Sequence, residues 1–264
     1  YYRLQLHDKI RLPPMRVNTE PSRLPSSGKL LQLLEKHIFL ENEDIIVLDK
    51  PSGVVVHSSD GLGVQQALRQ GRPKLKCLEL VHRLDKGTSG CLILAKKRSV
   101  LRLLQERFRH RKVDKQYLAL LKGRLSKPIT VGKPLSRHYL PEGGRVVVVD
   151  HHHGKEAVTH FTPISVGDQV TLAKVTIETG RTHQIRVHLN HIGHSLIGDP
   201  LYGSSRKIST RDDPNLKLAK EFKRQALHAK SLEFVHPFKQ ERVHFSVPLP
   251  SDMQTLLEAL RKSF

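Results

Sequence analysis

The residues from Val81 to Gly90 read Val-His-Arg-Leu-Asp-Lys-Gly-Thr-Ser-Gly and set one carboxylate, Asp85, between two cations, Arg83 and Lys86. Flanking positive charge holds a carboxylate ionised, and the small residues after it let the backbone fold tightly so that the side chain stands clear in a cleft. An ionised, positioned aspartate is a usable nucleophile. A second constellation runs Gly180-Arg181-Thr182-His183-Gln184-Ile185-Arg186-Val187-His188-Leu189. A strand ends at Gly180 and a helix begins, with Thr182 as its cap and Ile185, Leu189 and Ile192 as its buried stripe. Arg181 then sits at the helix entrance, where it grips a phosphate, grips the catalytic carboxylate, or only solvates a loop. Asp114-Lys115-Gln116-Tyr117 opens a strand, so Tyr117 either stacks on a base with its phenol at the ring edge or fills the core. The Lys50-Pro51-Ser52-Gly53 turn lines a pocket, or is simply a turn.

The charge balance names the kind of partner. Lys and Arg number 45 against 25 Asp and Glu, a formal net charge of +20, which favours a polyanion, and nucleic acid above all. Apolar residues make up 38% of the chain, enough for a core, yet no run is long enough to span a bilayer and no signal-peptide pattern is present. A cytoplasmic protein with no membrane attachment is the expectation. Cys77 and Cys91 suit neither a disulfide framework nor a zinc knuckle and read as buried structural thiols. His151-His152-His153 cannot all face one ion from a regular strand and reads as a solvated loop. His183, His188, His191 and His194 lack an accompanying carboxylate cluster, so no metal is expected; contact with phosphate at mildly acidic pH is the reading they carry. Neither a Walker loop nor a dinucleotide fingerprint occurs, and no cofactor is expected.

The elements that must position these groups mix strands and helices without a repeating βαβ unit. Strands are expected over 44–48, 91–95, 117–121, 145–149, 157–164, 170–178, 231–235 and 242–247, several alternating apolar and polar. Helices are expected over 29–37, 64–70, 99–110, 182–192 and 251–261, with Ser99 and Ser251 as N-caps. The fold class is α+β, a mixed, largely antiparallel central sheet flanked by helices. Residues 1–18 read as the last strand of a preceding module, 19–28 as a Pro/Ser-rich linker, and 29–264 as one catalytic domain.

Taken together, His82-Arg83-Leu84-Asp85 with Thr88-Ser89-Gly90, Lys50-Pro51-Ser52-Gly53, Lys115-Gln116-Tyr117, Arg181-Thr182-His183-Gln184-Ile185-Arg186 and Gly198-Asp199-Pro200-Leu201-Tyr202-Gly203 occur in the order and spacing of the RluA family of pseudouridine synthases. The chain resembles that family from about Asp44 to its end. The resemblance implies the pseudouridine synthase fold and an isomerase with Asp85 as catalytic nucleophile. It further implies that Tyr117 packs against the target base, that Arg181 forms the salt bridge orienting Asp85, and that Arg83 helps to evict the nucleotide. Lys50, His82, Thr88 and Ile185 join Arg83 as substrate-binding expectations. Residues 1–18 would be the remnant of an RNA-binding module. The implied substrate is 23S ribosomal RNA, with no obligate protein partner; transfer RNA, or RNA binding without catalysis, are the alternatives. Gly87 departs from the family pattern, in which many members carry an acidic residue, and bears on the rigidity of the loop.

Overall fold

The computed structural model describes residues 27–57, 63–139, 144–203, 206–210, 213–236 and 240–264. The strand expected within 1–18 and most of the linker expected over 19–28 lie outside them. The first helix, α1 (Ser27–Lys36), begins slightly before the expected start and presents Leu34 to the core. A hairpin follows, β1 (Ile38–Glu41) and β2 (Ile45–Lys50), whose turn is closed by the Asn42 side-chain oxygen accepting from the Asp44 and Ile45 N–H groups. Helix α2 (Val64–Gln70) has the expected bounds. The two-residue strand β3 (Glu79–Leu80) pairs with β4 (Ser89–Ala95), whose every residue is buried. Strand β4 is the spine of the sheet, since Leu92 and Leu94 face one apolar cluster while Cys91, Ile93 and Ala95 face another.

Helix α3 (Arg98–Arg109) lies on the second face through Val100 and Leu104. Its N-cap is Lys97, two residues before the expected Ser99, and no side chain caps it among the described residues. Strand β5 (Asp114–Lys122) is longer than the expected 117–121 because Asp114 to Gln116 continue the ladder with β11 (Leu227–Val235). Short strands β6 (Ile129–Gly132) and β7 (Leu135–Tyr139) precede β8 (Arg145–Val149), and β7 and β8 form a separate two-stranded ribbon. Strands β9 (Val158–Val166) and β10 (Val170–Ile177) then extend the main sheet, and α4 (Gln184–His191) and α5 (Lys217–Glu221) follow. After β11, β12 (Arg242–Ser246) pairs with it antiparallel, and α6 (Ser251–Ala259) ends in a 3-10 turn over Leu260–Ser263.

The main sheet runs β1-β2-β4-β11-β5-β10-β9-β6, with β12 beside β11 and β3 beside β4. Its pairings are antiparallel apart from β4 with β11, where Ser89 and Gly90 meet His228 and Ala229 in parallel. The fold is therefore α+β with a mixed, largely antiparallel sheet. Gly90 is required at that junction: it has φ +111, and a Cβ there would run into the Ala229 backbone. Cys77 and Cys91 are buried free thiols, and burial pushes the Cys91 thiol up to about 12. Among the described residues no helix is long and apolar enough to cross a membrane.

Candidate active site

The loop from Val81 to Thr88 is pinned by residues that alternate in direction. Val81 enters the cluster on the α3 face and Leu84 the cluster on the other, which leaves Arg83 exposed and Asp85 partly exposed between them. The Thr88 N–H donates to the Asp85 carbonyl at 3.1 Å and closes the turn. Ser89 and Gly90, expected as part of that turn, already belong to β4. Neighbouring elements hold the exposed carbonyls of the loop: Gly53 N–H and Lys50 Nζ donate to the Lys86 carbonyl at 2.8 and 3.3 Å. Ser52 Oγ and Arg224 donate to the Gly87 carbonyl at 3.1 and 3.2 Å.

Lys50 is a correction to the substrate-binding expectation. It is fully buried, and its ammonium also donates to the Pro51 and Val54 carbonyls, so it ties its own turn to the Asp85 loop and does not reach a substrate. Burial, and secondarily the charge of Arg224, bring its pKa down to about 7 against the opposing pull of Asp85 and Asp49. His82 lines the clefts beside the Asp85 loop, but its ring is held by the protein itself. Its Nε2 accepts from the Ile93 N–H at 3.1 Å, and its ring stacks on Phe108 with centroids 4.8 Å apart. Burial, with the Lys115 charge, lowers its pKa to about 3, so the ring is neutral and structural.

The arginine on Asp85 is Arg186, and here the expectation for Arg181 fails. Helix α4 begins at Gln184 after His183, which takes the left-handed conformation with φ 54, so Arg181 and Thr182 precede the helix. Arg181 points outward and gives its Nε–H to the Glu156 carbonyl at 3.0 Å, while Thr182 Oγ1 accepts from Arg137. Arg186, in the first turn of the helix, is buried and donates from one terminal nitrogen to Asp85 at 3.2 Å. Its Nε and other terminal nitrogen fork onto Asp199 at 2.7 and 2.9 Å. Asp199 in turn accepts from the Leu201 and Tyr202 N–H groups. Burial opposes the Arg186 charge, but the hydrogen bonds and charges of Asp199 and Asp85 outweigh it and hold its pKa above the ordinary value. No ion pair joins Arg83 or Lys86 to Asp85 among the described residues; the cation paired with it is Arg186, and His183 Nε2 lies 3.9 Å from the same carboxylate.

His183 and Tyr202 are further members of the site: His183 is read from the sequence only as a phosphate contact at mildly acidic pH and Tyr202 only as part of a motif, and the structure sets both beside Asp85 and Arg186. His183 Nδ1 meets the Tyr202 hydroxyl at 2.8 Å, the Val147 N–H donates to the same oxygen at 2.9 Å, and the Arg186 guanidinium lies 5.0 Å over the Tyr202 ring. Burial lowers the His183 pKa despite the Asp85 charge, which keeps the ring neutral at pH 7.

Asp85 forms part of a narrow slot of about 70 Å³ whose walls include Tyr117, Thr88, Ile185, Ile177 and Leu227, with Arg83 and Arg181 also lining it. The expected Asp85, Tyr117, Thr88 and Ile185 are thus brought together, and the exposed Arg83 lines the slot with no carboxylate partner among the described residues. Burial, and then the Asp85 charge, raise the Tyr117 pKa, so its phenol stays protonated. A broader cleft of about 810 Å³ also reaches Asp85, His183 and Arg186 and is bounded further by Val55, Leu80, Leu201, Lys223 and Arg224. The His151-His152-His153 run is an exposed turn whose N–H groups at His152 and His153 cap the Asp150 carboxylate, as expected of a solvated loop.

The sequence matches the profile of the family described as RNA pseudouridylate synthase over residues 44–191, which includes the Asp85 loop, Tyr117 and Arg186. The chain belongs to the RNA pseudouridylate synthase family. It is an isomerase. A relative in Pasteurella multocida, ribosomal large subunit pseudouridine synthase C, is 44% identical over 266 residues, covering 99% of this chain and 79% of the relative. The Escherichia coli protein of the same name is 38% identical, with 99% and 82% covered. Among solved structures, human RNA pseudouridylate synthase domain containing 4 superposes with a TM-score of 0.73 at 27% identity, covering 89% of this chain and 97% of that one.

Proposed function

We propose that this pseudouridine synthase isomerises uridines of 23S ribosomal RNA, with Asp85 as the nucleophile. The observation that carries the reading is the placement of Asp85, partly exposed beside Tyr117 and tied to an arginine whose other nitrogens are fixed on Asp199. A binding surface alone gives no reason for a carboxylate there, because it would repel phosphate. The large-subunit relatives support ribosomal RNA as the substrate.

Isomerisation breaks the N1–C1′ bond, turns the uracil, joins C5 to C1′, and moves one proton from C5 to N1. No electron or phosphoryl donor is consumed. The target base must first leave its stack, at about a few kcal/mol, which contacts of phosphates with the basic surface offset. Asp85 attacks the ribose, directly or after elimination, and Arg186 fixes the direction of its carboxylate. Tyr117, neutral and buried, supports the ring while the C5 proton leaves. A ribosomal RNA substrate supports a cytoplasmic location, and no helix among the described residues is long and apolar enough to cross a membrane.

The test is product analysis after incubating the chain with 23S ribosomal RNA or transfer RNA. Pseudouridine in the ribosomal RNA, at unchanged RNA mass, is expected. Free uracil would make the protein a glycosylase, modification of transfer RNA alone would overturn the substrate, and unaltered RNA would overturn catalysis.

A further inference from the structure

We propose that the solvent face of α3 is a phosphate-binding surface that carries the RNA flanking the target nucleotide into the active site. This rests on the reading that the substrate is RNA, and it assigns a face to a partner that the catalytic slot alone does not place. Between positions 97 and 112 the chain is dense in Lys and Arg, with Glu106 the acidic residue among them. At 100° per residue Arg98, Arg102 and Arg109 fall on one narrow stripe, opposite the Val100 and Leu104 side that packs on the sheet. The stripe spans about 16 Å at 1.5 Å per residue.

These three arginines are exposed, and no ion pair engages them among the described residues. Their basic neighbours are differently placed: Lys97 is 2.8 Å from Asp44, and Arg111 is paired with Glu156 and Glu178. Among the described residues, then, the arginines of the stripe keep their charge unpaired and open to a polyanion. Repeated cations along one helix face, without an apolar patch between them, fit a ribose-phosphate backbone better than a protein surface.

The stripe leads into the catalytic centre. Arg109 and Phe108 line a cleft of about 420 Å³ that is also bounded by Arg83, Tyr117 and Arg181. Phe108 stacks on His82, three residues before Asp85, and the Lys115 ammonium lies 6.0 Å over the same Phe108 ring. The end of α3 is thus registered against the Asp85 loop, so a strand held on the helix has a fixed approach to the slot. This also gives the neutral, stacked His82 its part in the molecule.

The test replaces Arg98, Arg102 and Arg109 together by Gln in the full chain and measures equilibrium binding of a 23S ribosomal RNA fragment against salt, with turnover alongside. Loss of three phosphate contacts lowers the slope of log affinity against log salt by about 2 to 3. KM rises with kcat unchanged. A control with Lys217, Lys220 and Arg261, which are exposed elsewhere, replaced by Gln removes the same net charge and leaves the slope near that of the original protein. An unchanged slope in the α3 variant, or an equal drop in the control, overturns the proposal; so does a fall in kcat with KM unchanged. Because the slope is read from binding, it is decided even if the original protein makes no pseudouridine, and that second failure would bear on the proposed reaction alone.

Discussion

Arg186 and Arg181 lie five positions apart, and the geometry assigns them opposite fates on substitution. Arg186 makes three charge-assisted bonds, two to the buried Asp199 and one of 3.2 Å to Asp85. A lysine has a point charge in place of the fork and cannot serve both carboxylates at once. Asp199 has a side chain only 1% exposed, whereas that of Asp85 is 19% exposed, so the ammonium of Arg186→Lys settles on Asp199 and Asp85 loses its fixed partner. One hydrogen bond to a charged group is worth about 1.5–3 kcal/mol. Realised in the transition state, that is about 10- to 150-fold in turnover. The assay is release of tritium from ribosomal RNA labelled at C5 of uridine, under single-turnover conditions, with urea denaturation to confirm folding. Arg186→Met, by contrast, strands a buried carboxylate and should destabilise the fold by about 3–5 kcal/mol. Arg181→Ala should raise KM and leave kcat nearly intact, since its guanidinium bonds a carbonyl at the cleft edge. If Arg181→Ala abolished turnover while Arg186→Lys retained it, the assignment of the carboxylate's partner would be refuted.

Other perturbations probe the supports of the site. Tyr117→Phe keeps the ring in the slot and removes a phenol that burial holds protonated; RNA affinity should stay within ~0.5 kcal/mol while kcat falls by roughly 10²- to 10⁴-fold if that hydroxyl takes part in the proton transfer, and an unchanged kcat would restrict Tyr117 to packing. Lys50 has a folded pKa of about 7, below its ordinary value, so between pH 7 and about 10 the unfolded chain binds the extra proton. Stability from this group therefore rises with pH across that window, and urea midpoints of Lys50→Met should lack that rise. Gly87→Asp would drive a Cβ into the buried Gln225 side chain and cost about 1–3 kcal/mol of stability. Gln225→Ala should recover much of that loss, so simple additivity in the double-mutant cycle would contradict the packing account.

The elements that the sequence made legible are those whose burial is set locally. Strand β4 is an unbroken apolar run because it is covered on both faces, and α2 has a clear apolar side. Strands β1, β3, β6 and β7 were missed because they are short and partly exposed, so their existence depends on the partner strand, and the five-residue α5 is too short to show a helical period. Asp85 and Tyr117 could be found from their motifs. Arg186 could not be distinguished from Arg181 by residue type, since what separates them is the left-handed turn at His183, which sets the helix one step later. A signal was nevertheless present: Arg186 falls beside the Ile185 and Leu189 stripe, where an arginine requires a buried acid, and Asp199 is that acid. Lys50 and His82 carried charge or a ring that suggested ligand contact, while their hydrogen bonds in the fold are spent on backbone groups.

The central claim is that the Asp85 carboxylate does the chemistry. Asp85→Asn preserves shape and removes the charge, and the measurement is pseudouridine formed in 23S ribosomal RNA by the substituted chain, scored by C5 tritium release and nucleoside analysis. The account predicts RNA binding retained and no pseudouridine above background. Formation at the normal rate would contradict it.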